Sequence, residues 1–121
     1  AGARARDGLW LVEQNPLRYV PFPDPPQVGT NTTLVVVATN ARLTKVEANR
    51  LAQRAHDGLA IAVRPAHMTH EGDTAFALAT DAVVAPFELV ANAAVEVVAE
   101  AIRNAVRHAA TVADIPGLAA R

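Results

Sequence analysis

The chain has 121 residues, room for one compact domain or for part of a larger one. Its 11 basic and 12 acidic residues give a net charge of -1 and no clustered basic face, which argues against a nucleic-acid partner. Cysteine is absent, which excludes disulfides and thiolate metal sites, and no apolar run is long enough to span a bilayer. Hydrophobic residues make up 51% of the chain but aromatic residues only 4%, so the core is expected to be built mainly from alanine and valine. Such side chains bury little area each, and the expectation is one piece of a larger buried assembly. The opening Ala1–Asp7 lacks the basic-then-apolar order of a signal peptide, which points to the cytoplasm. With no initiator methionine, the sequence reads as a fragment or a processed product.

Residues 1–31 read as an arm or linker, crowded by Pro16, Pro21, Pro23, Pro25 and Pro26. Trp10, Tyr19 and Phe22 would dock it on a surface. Thr33–Thr39 reads as a strand, and its consecutive Leu34, Val35, Val36 and Val37 predict burial of both faces. Thr44-Lys45-Val46-Glu47 is a capping box that opens a helix. Ala48, Leu51, Ala52, Ala55, Leu59, Ala62 and Val63 form its apolar stripe, Gly58 permits close packing, and Arg64-Pro65 ends it. Residues 66–72 make a polar turn, and Thr74–Thr80 is a second strand. Pro86 opens a long helix running to about Ala110. Its apolar face is expected at Leu89, Ala93, Val97, Ala101 and Ala105, with Val90, Ala94 and Val98 beside it. The order is β-α-β-α, an α/β (α+β) fold.

The sharpest chemical candidate is Thr32, at the mouth of the first strand. A threonine hydroxyl is a weak nucleophile until a base takes its proton. If the Asn31–Thr32 bond is cut, the new α-amine of Thr32 is such a base, since an α-amine ordinarily titrates at about 7.7–8.0. The same hydroxyl can make that cut by attacking the Asn31 carbonyl, and asparagine tolerates the turn geometry required. The plainer alternative is that Thr30, Thr32 and Thr33 are ordinary strand-edge threonines.

Glu71 and Asp73 flank Gly72 on one tight turn. They can orient the Thr32 amine and hydroxyl; the alternative is a solvated acidic turn in which Gly72 serves backbone geometry. His67, His70, Glu71 and Asp73 have residue types that suit zinc, but their spacing is that of a loop and fixes no ligand set. His56 falls on the first helix near Gly58. Asn40 at the strand end can cap or contact a ligand, and Arg64 can close its helix with a favourable charge.

Taken together, these segments resemble the DmpA-type aminopeptidases and nylon-oligomer hydrolases, a family of self-processing N-terminal-nucleophile hydrolases. The matching motifs are Asn31-Thr32-Thr33-Leu34, Val36-Val37-Ala38-Thr39-Asn40-Ala41, Leu51-Ala52, Ala55-His56-Asp57-Gly58, Arg64-Pro65-Ala66-His67, Glu71-Gly72-Asp73-Thr74 and Phe76-Ala77. They run in order over residues 29–110. The resemblance implies an αββα sandwich, of which this chain supplies the C-terminal β-α-β-α portion and a larger N-terminal chain of the same precursor supplies the rest. It implies cleavage between Asn31 and Thr32, so that residues 1–31 form the tail of the upstream piece and 32–121 the nucleophile-bearing piece. Asn-Thr at the junction is nearer the nylon-hydrolase branch than the Gly-Ser of many aminopeptidases. Glu71 and Asp73 fall where that branch has two aspartates, and Glu71 departs from it. Oxyanion and pocket residues are expected in the larger chain.

The sequence reading is therefore an amide hydrolase. Thr32 is the nucleophile, Glu71 and Asp73 are its acidic partners, and Asn40 and His67 are substrate or structural support. No metal or organic cofactor is needed. A short peptide or amide is the substrate and a homo-oligomer is expected. Two other readings are an acyltransferase of similar self-cleaving type and an unprocessed, non-catalytic assembly subunit.

Overall fold

A computed structural model describes residues 32–69, 71–113 and 116–119. The expected arm at 1–31, with Asn31, and His70 lie outside the described residues. Strand β1 spans Leu34–Ala41, helix α1 Lys45–Ala62, strand β2 Thr74–Val83 and helix α2 Phe87–Arg107. The two strands pair in parallel, with Leu34 opposite Thr74, Val36 opposite Phe76 and Ala38 opposite Leu78. Parallel neighbours need a crossover, and α1 supplies it. Both strands run further than the sequence suggested, past a register shift between Thr39 and Ala41. There Asp81 adopts a φ of 60° and its carboxylate meets Arg42 at 2.8 Å.

The capping box of α1 forms as expected. Thr44 Oγ1 accepts from the Glu47 N–H at 3.2 Å, and Glu47 Oε2 accepts from the Thr44 N–H at 2.8 Å. The Thr44 N–H, and after it the Thr44 hydroxyl, which donates to Glu47 Oε2 at 2.7 Å, hold the Glu47 carboxylate below its ordinary pKa. At the other end the Val63 N–H donates to the Leu59 carbonyl at 2.8 Å, and the Arg64–Pro65 bond is cis. Pro86 caps α2, and Glu88 and Arg107 complement its dipole at opposite ends.

Leu51, Ala55, Leu59, Ala91, Ala94 and Val98 pack with Val35 and Val37 into one core. α1 lies over both strands, and α2 lies along α1 and over β1. Small residues let the helices approach closely. A Cβ on Gly58 would stand 2.4 Å from the Val95 carbonyl oxygen and 2.9 Å from Val98 Cβ. The expectation of close packing at Gly58 is met.

Two expectations about burial are corrected. β1 is covered on one face only: Val35 and Val37 are buried, whereas Leu34 and Val36 are 71% and 66% exposed. Side chains alternate along a strand, and both helices sit on the same side. The outer face of the sheet is therefore a continuous apolar patch of Leu34, Val36, Phe76 and Leu78 that no described residue covers. On α2 the buried face is Ala91, Ala94, Val95, Val98 and Ala99, while Leu89 and Val97 are exposed. Of the expected face, Ala94 and Val98 are buried and Val90 is half-buried, whereas the Leu89–Ala93–Val97–Ala101 edge points outward, because the helix is apolar over a wider arc than packing against α1 covers. One helical layer on one two-stranded sheet, with an apolar outer face, is compatible with part of an α+β sandwich. Among the described residues no helix is long and apolar enough to cross a membrane.

Candidate active site

Parallel pairing brings the entry of β1 beside the entry of β2. The Thr74 N–H donates to the Thr33 carbonyl at 3.0 Å, which extends the ladder one step below Leu34. Thr32 and Thr33 are thereby set against Gly72 and Asp73, residues some forty positions away in sequence. The Thr33 N–H donates to Asp73 Oδ1 at 2.9 Å. Thr32 is exposed, and its hydroxyl lies directly over Gly72: a Cβ at that position would come within 2.9 Å of Thr32 Oγ1.

Gly72 has no left-handed φ. Its backbone is open to any residue, so the need is for an absent side chain beneath the threonine hydroxyl. Thr74 Oγ1 donates to the Gly72 carbonyl at 3.0 Å and turns that peptide into the start of β2. Among the described residues the Thr32 hydroxyl makes no hydrogen bond.

The loop between α1 and β2 is tied to itself. The Met68 N–H donates to Glu71 Oε2 at 2.8 Å, and the Glu71 N–H donates back to the Met68 carbonyl at 3.0 Å. His67, with a φ of 58°, points Nδ1 toward Asp73 Oδ2 at 3.3 Å. The Asp73 side chain is 5% exposed and that of His67 40%. The His56 ring on α1 stands with its centroid 5.0 Å from that of His67, tilted by 53°.

The profile of peptidase family S58 matches residues 4–119. The chain belongs to peptidase family S58. Among curated proteins it is similar to an uncharacterized aminopeptidase of Mycobacterium tuberculosis, 42% identical over 101 residues, covering 71% of this chain and 29% of the relative. A Mycobacterium leprae protein of the same description is 53% identical over 60 residues, 50% of this chain and 17% of the relative. A 6-aminohexanoate-oligomer endohydrolase of a Kocuria species is 37% identical over 65 residues, 54% of this chain and 18% of the relative. The chain thus spans less than a third of the length of the curated relatives it matches.

Within this family S58 chain, the sequence-selected residues fall into two groups. Thr32, Asp73 and His67 meet at the entry to the two strands, with Glu71 on the loop that leads there. Asn40 lies at the far end of β1, roughly 26 Å from Thr32 at about 3.3 Å per residue. Glu71 faces the backbone of Met68 and closes its own loop. Among the described residues no group of three or more His, Asp and Glu is placed to hold a metal. Two features escaped the sequence: the fit of Gly72 under Thr32, and the approach of His67 to Asp73. The first arises only from strand register. The second depends on the left-handed turn at His67, for which the modest preference of histidine is too weak a signal.

Proposed function

We propose that this chain carries the nucleophile of a self-processing amide hydrolase. The observation that carries the reading is the placement of the Thr32 hydroxyl over the bare Cα of Gly72, with Asp73 holding the next peptide N–H at 2.9 Å. Thr32 Oγ attacks the Asn31 carbonyl carbon, the hydroxyl proton passes to the Thr32 nitrogen, and the C–N bond breaks to leave an ester. That break already frees the Thr32 amine; water then opens the ester, giving a carboxylate on Asn31 and restoring the Thr32 hydroxyl. In turnover that amine takes the hydroxyl proton as Oγ attacks the substrate carbonyl. It delivers the proton to the leaving amine, and water then releases the acid. These steps balance without a metal or organic cofactor.

Residues 1–31 would then belong to the upstream piece and 32–121 to the nucleophile-bearing piece. The apolar outer face of the sheet is the natural seat for a second sheet from the N-terminal part of the same precursor. The short span of the chain against its relatives leaves ample polypeptide for it. Short peptides, amino-acid amides and ω-amino-acid oligomers are the substrate classes, in line with relatives described as aminopeptidases and as an oligomer endohydrolase. A homo-oligomeric, cytoplasmic enzyme is part of the same proposal and rests on the sequence.

Intact mass of the full-length protein tests the reading. A fragment beginning at Thr32 is expected, and Thr32→Ala should abolish both that fragment and amide hydrolysis. A stable uncut chain supports the assembly-subunit alternative. Acyl transfer to an added amine outpacing hydrolysis supports the transferase alternative.

A further inference from the structure

The two oxygens of Asp73 face different partners. Oδ1 accepts from the Thr33 N–H at 2.9 Å, and Oδ2 lies 3.3 Å from His67 Nδ1. The side chain is 5% exposed, so water does little to hold it. An enclosed carboxylate is fixed by the groups it touches. Without a partner at Oδ2, rotation about its last side-chain bond would carry Oδ1 away from Thr33. The Thr33 N–H belongs to the peptide that joins Thr32 to Thr33. Whatever fixes this carboxylate therefore fixes the peptide plane from which the Thr32 hydroxyl is presented.

His67 itself sits in a backbone region that few non-glycine residues occupy, histidine more often than most. Its φ of 58° lies in the left-handed region, which strains a non-glycine residue unless its surroundings enforce it. The enforcement is visible on both sides. Glu71 closes the loop onto Met68, the residue after His67, through two hydrogen bonds. The tilted His56 ring on α1 backs the His67 ring and limits its swing. A left-handed backbone, a clasp and a backing ring converge on one nitrogen 3.3 Å from one carboxylate oxygen.

We propose that His67 is the positioning residue of the nucleophile. Its Nδ1–H holds Asp73 Oδ2, Asp73 Oδ1 fixes the Thr32–Thr33 peptide, and Glu71 acts one step further back by closing the loop that carries His67. This rests on the reading of Thr32 as nucleophile and adds a role for the histidine that touches neither substrate nor the reacting atoms.

The test uses the full-length protein with His67→Gly, His67→Asn and His67→Gln, and Thr32→Ala as reference. Glycine removes the imidazole and relieves the backbone. Asparagine tolerates positive φ and places its amide nitrogen where Nδ1 stands, whereas the longer glutamine places its own near Nε2. His67→Gly should slow Asn31–Thr32 cleavage and lower kcat about ten- to a hundred-fold, the scale of a small misplacement of reacting groups, with KM unchanged. His67→Asn should restore most of both rates and His67→Gln should not. Wild-type rates in His67→Gly, or equal rates in the asparagine and glutamine variants, overturn the proposal. Should His67→Gly fail to accumulate, the asparagine–glutamine comparison decides alone. Loss of activity in Thr32→Ala with normal His67 variants defeats this inference only, whereas activity surviving in Thr32→Ala defeats the nucleophile reading beneath it.

Discussion

Gly72 shows how a residue can matter through the group it lacks. Its backbone imposes no need for glycine, yet a methyl there would press on Thr32 Oγ1 at 2.9 Å. The threonine must then turn its hydroxyl elsewhere, because Cγ2 and Cβ follow close behind. Gly72→Ala should therefore cut self-cleavage and kcat about ten-fold or more while leaving the melting temperature unchanged. Kinetics and a thermal melt on the same preparation check both halves. Glu47 gives a prediction about pH. Its folded pKa is lowered, so its stabilising contribution is present above the ordinary carboxylate pKa and fades as pH falls through the lowered value. Glu47→Gln keeps a capping side chain but cannot titrate. The stability gap between wild type and Glu47→Gln should narrow from neutral to strongly acidic pH, as read by denaturant midpoints.

At the scale of elements, α1 was fully legible. Thr44 and Glu47 cap it, Leu51, Ala55 and Leu59 line its inner face, and Pro65 follows its end. Each of these signals is local, and local signals survive folding. α2 was legible as a helix and, at Ala94 and Val98, in part of its buried face, but Leu89 and Val97, as apolar as Val95, fall outside that face. Only the partner helix sets that limit. β1 shows the same limit: four consecutive apolar residues fix a strand without saying what lies on either face. Thr32, Glu71 and Asp73 were singled out in the sequence chiefly through the family resemblance; the Thr32–Gly72 contact needed the register, and Glu71 turns to the Met68 backbone. The helix crossing yields its own prediction. Alanine at Gly58 favours the isolated helix by about 1 kcal/mol. It also drives a Cβ into the Val95 carbonyl oxygen, a backbone atom that no rotamer change can move. The clash wins, and Gly58→Ala should lower stability by about 1–2 kcal/mol net, measurable by chemical denaturation.

At the scale of the whole molecule, the sheet divides the structure into a finished side and an unfinished one. The finished side holds Val35 and Val37 under two helices. The unfinished side presents Leu34, Val36, Phe76 and Leu78. Phe76 is the largest side chain in that patch, and covering an aromatic of this size contributes about 1.5–3 kcal/mol. Phe76→Asp in the full-length protein should weaken the association of the processed pieces, seen as separate species by native mass spectrometry. Asp73 and its loop should remain intact, because Phe76 points to the opposite side from Ala75 and Ala77.

The parallel pairing of two strands from one short stretch has a consequence for how such an enzyme can diversify. On the proposed reading, the Thr32 hydroxyl and amine, the Asp73 carboxylate and the His67 imidazole all travel on the same product of scission and are inherited together. The companion fragment would furnish the oxyanion and pocket groups. Exchanging that fragment between relatives should redirect which amide is cut.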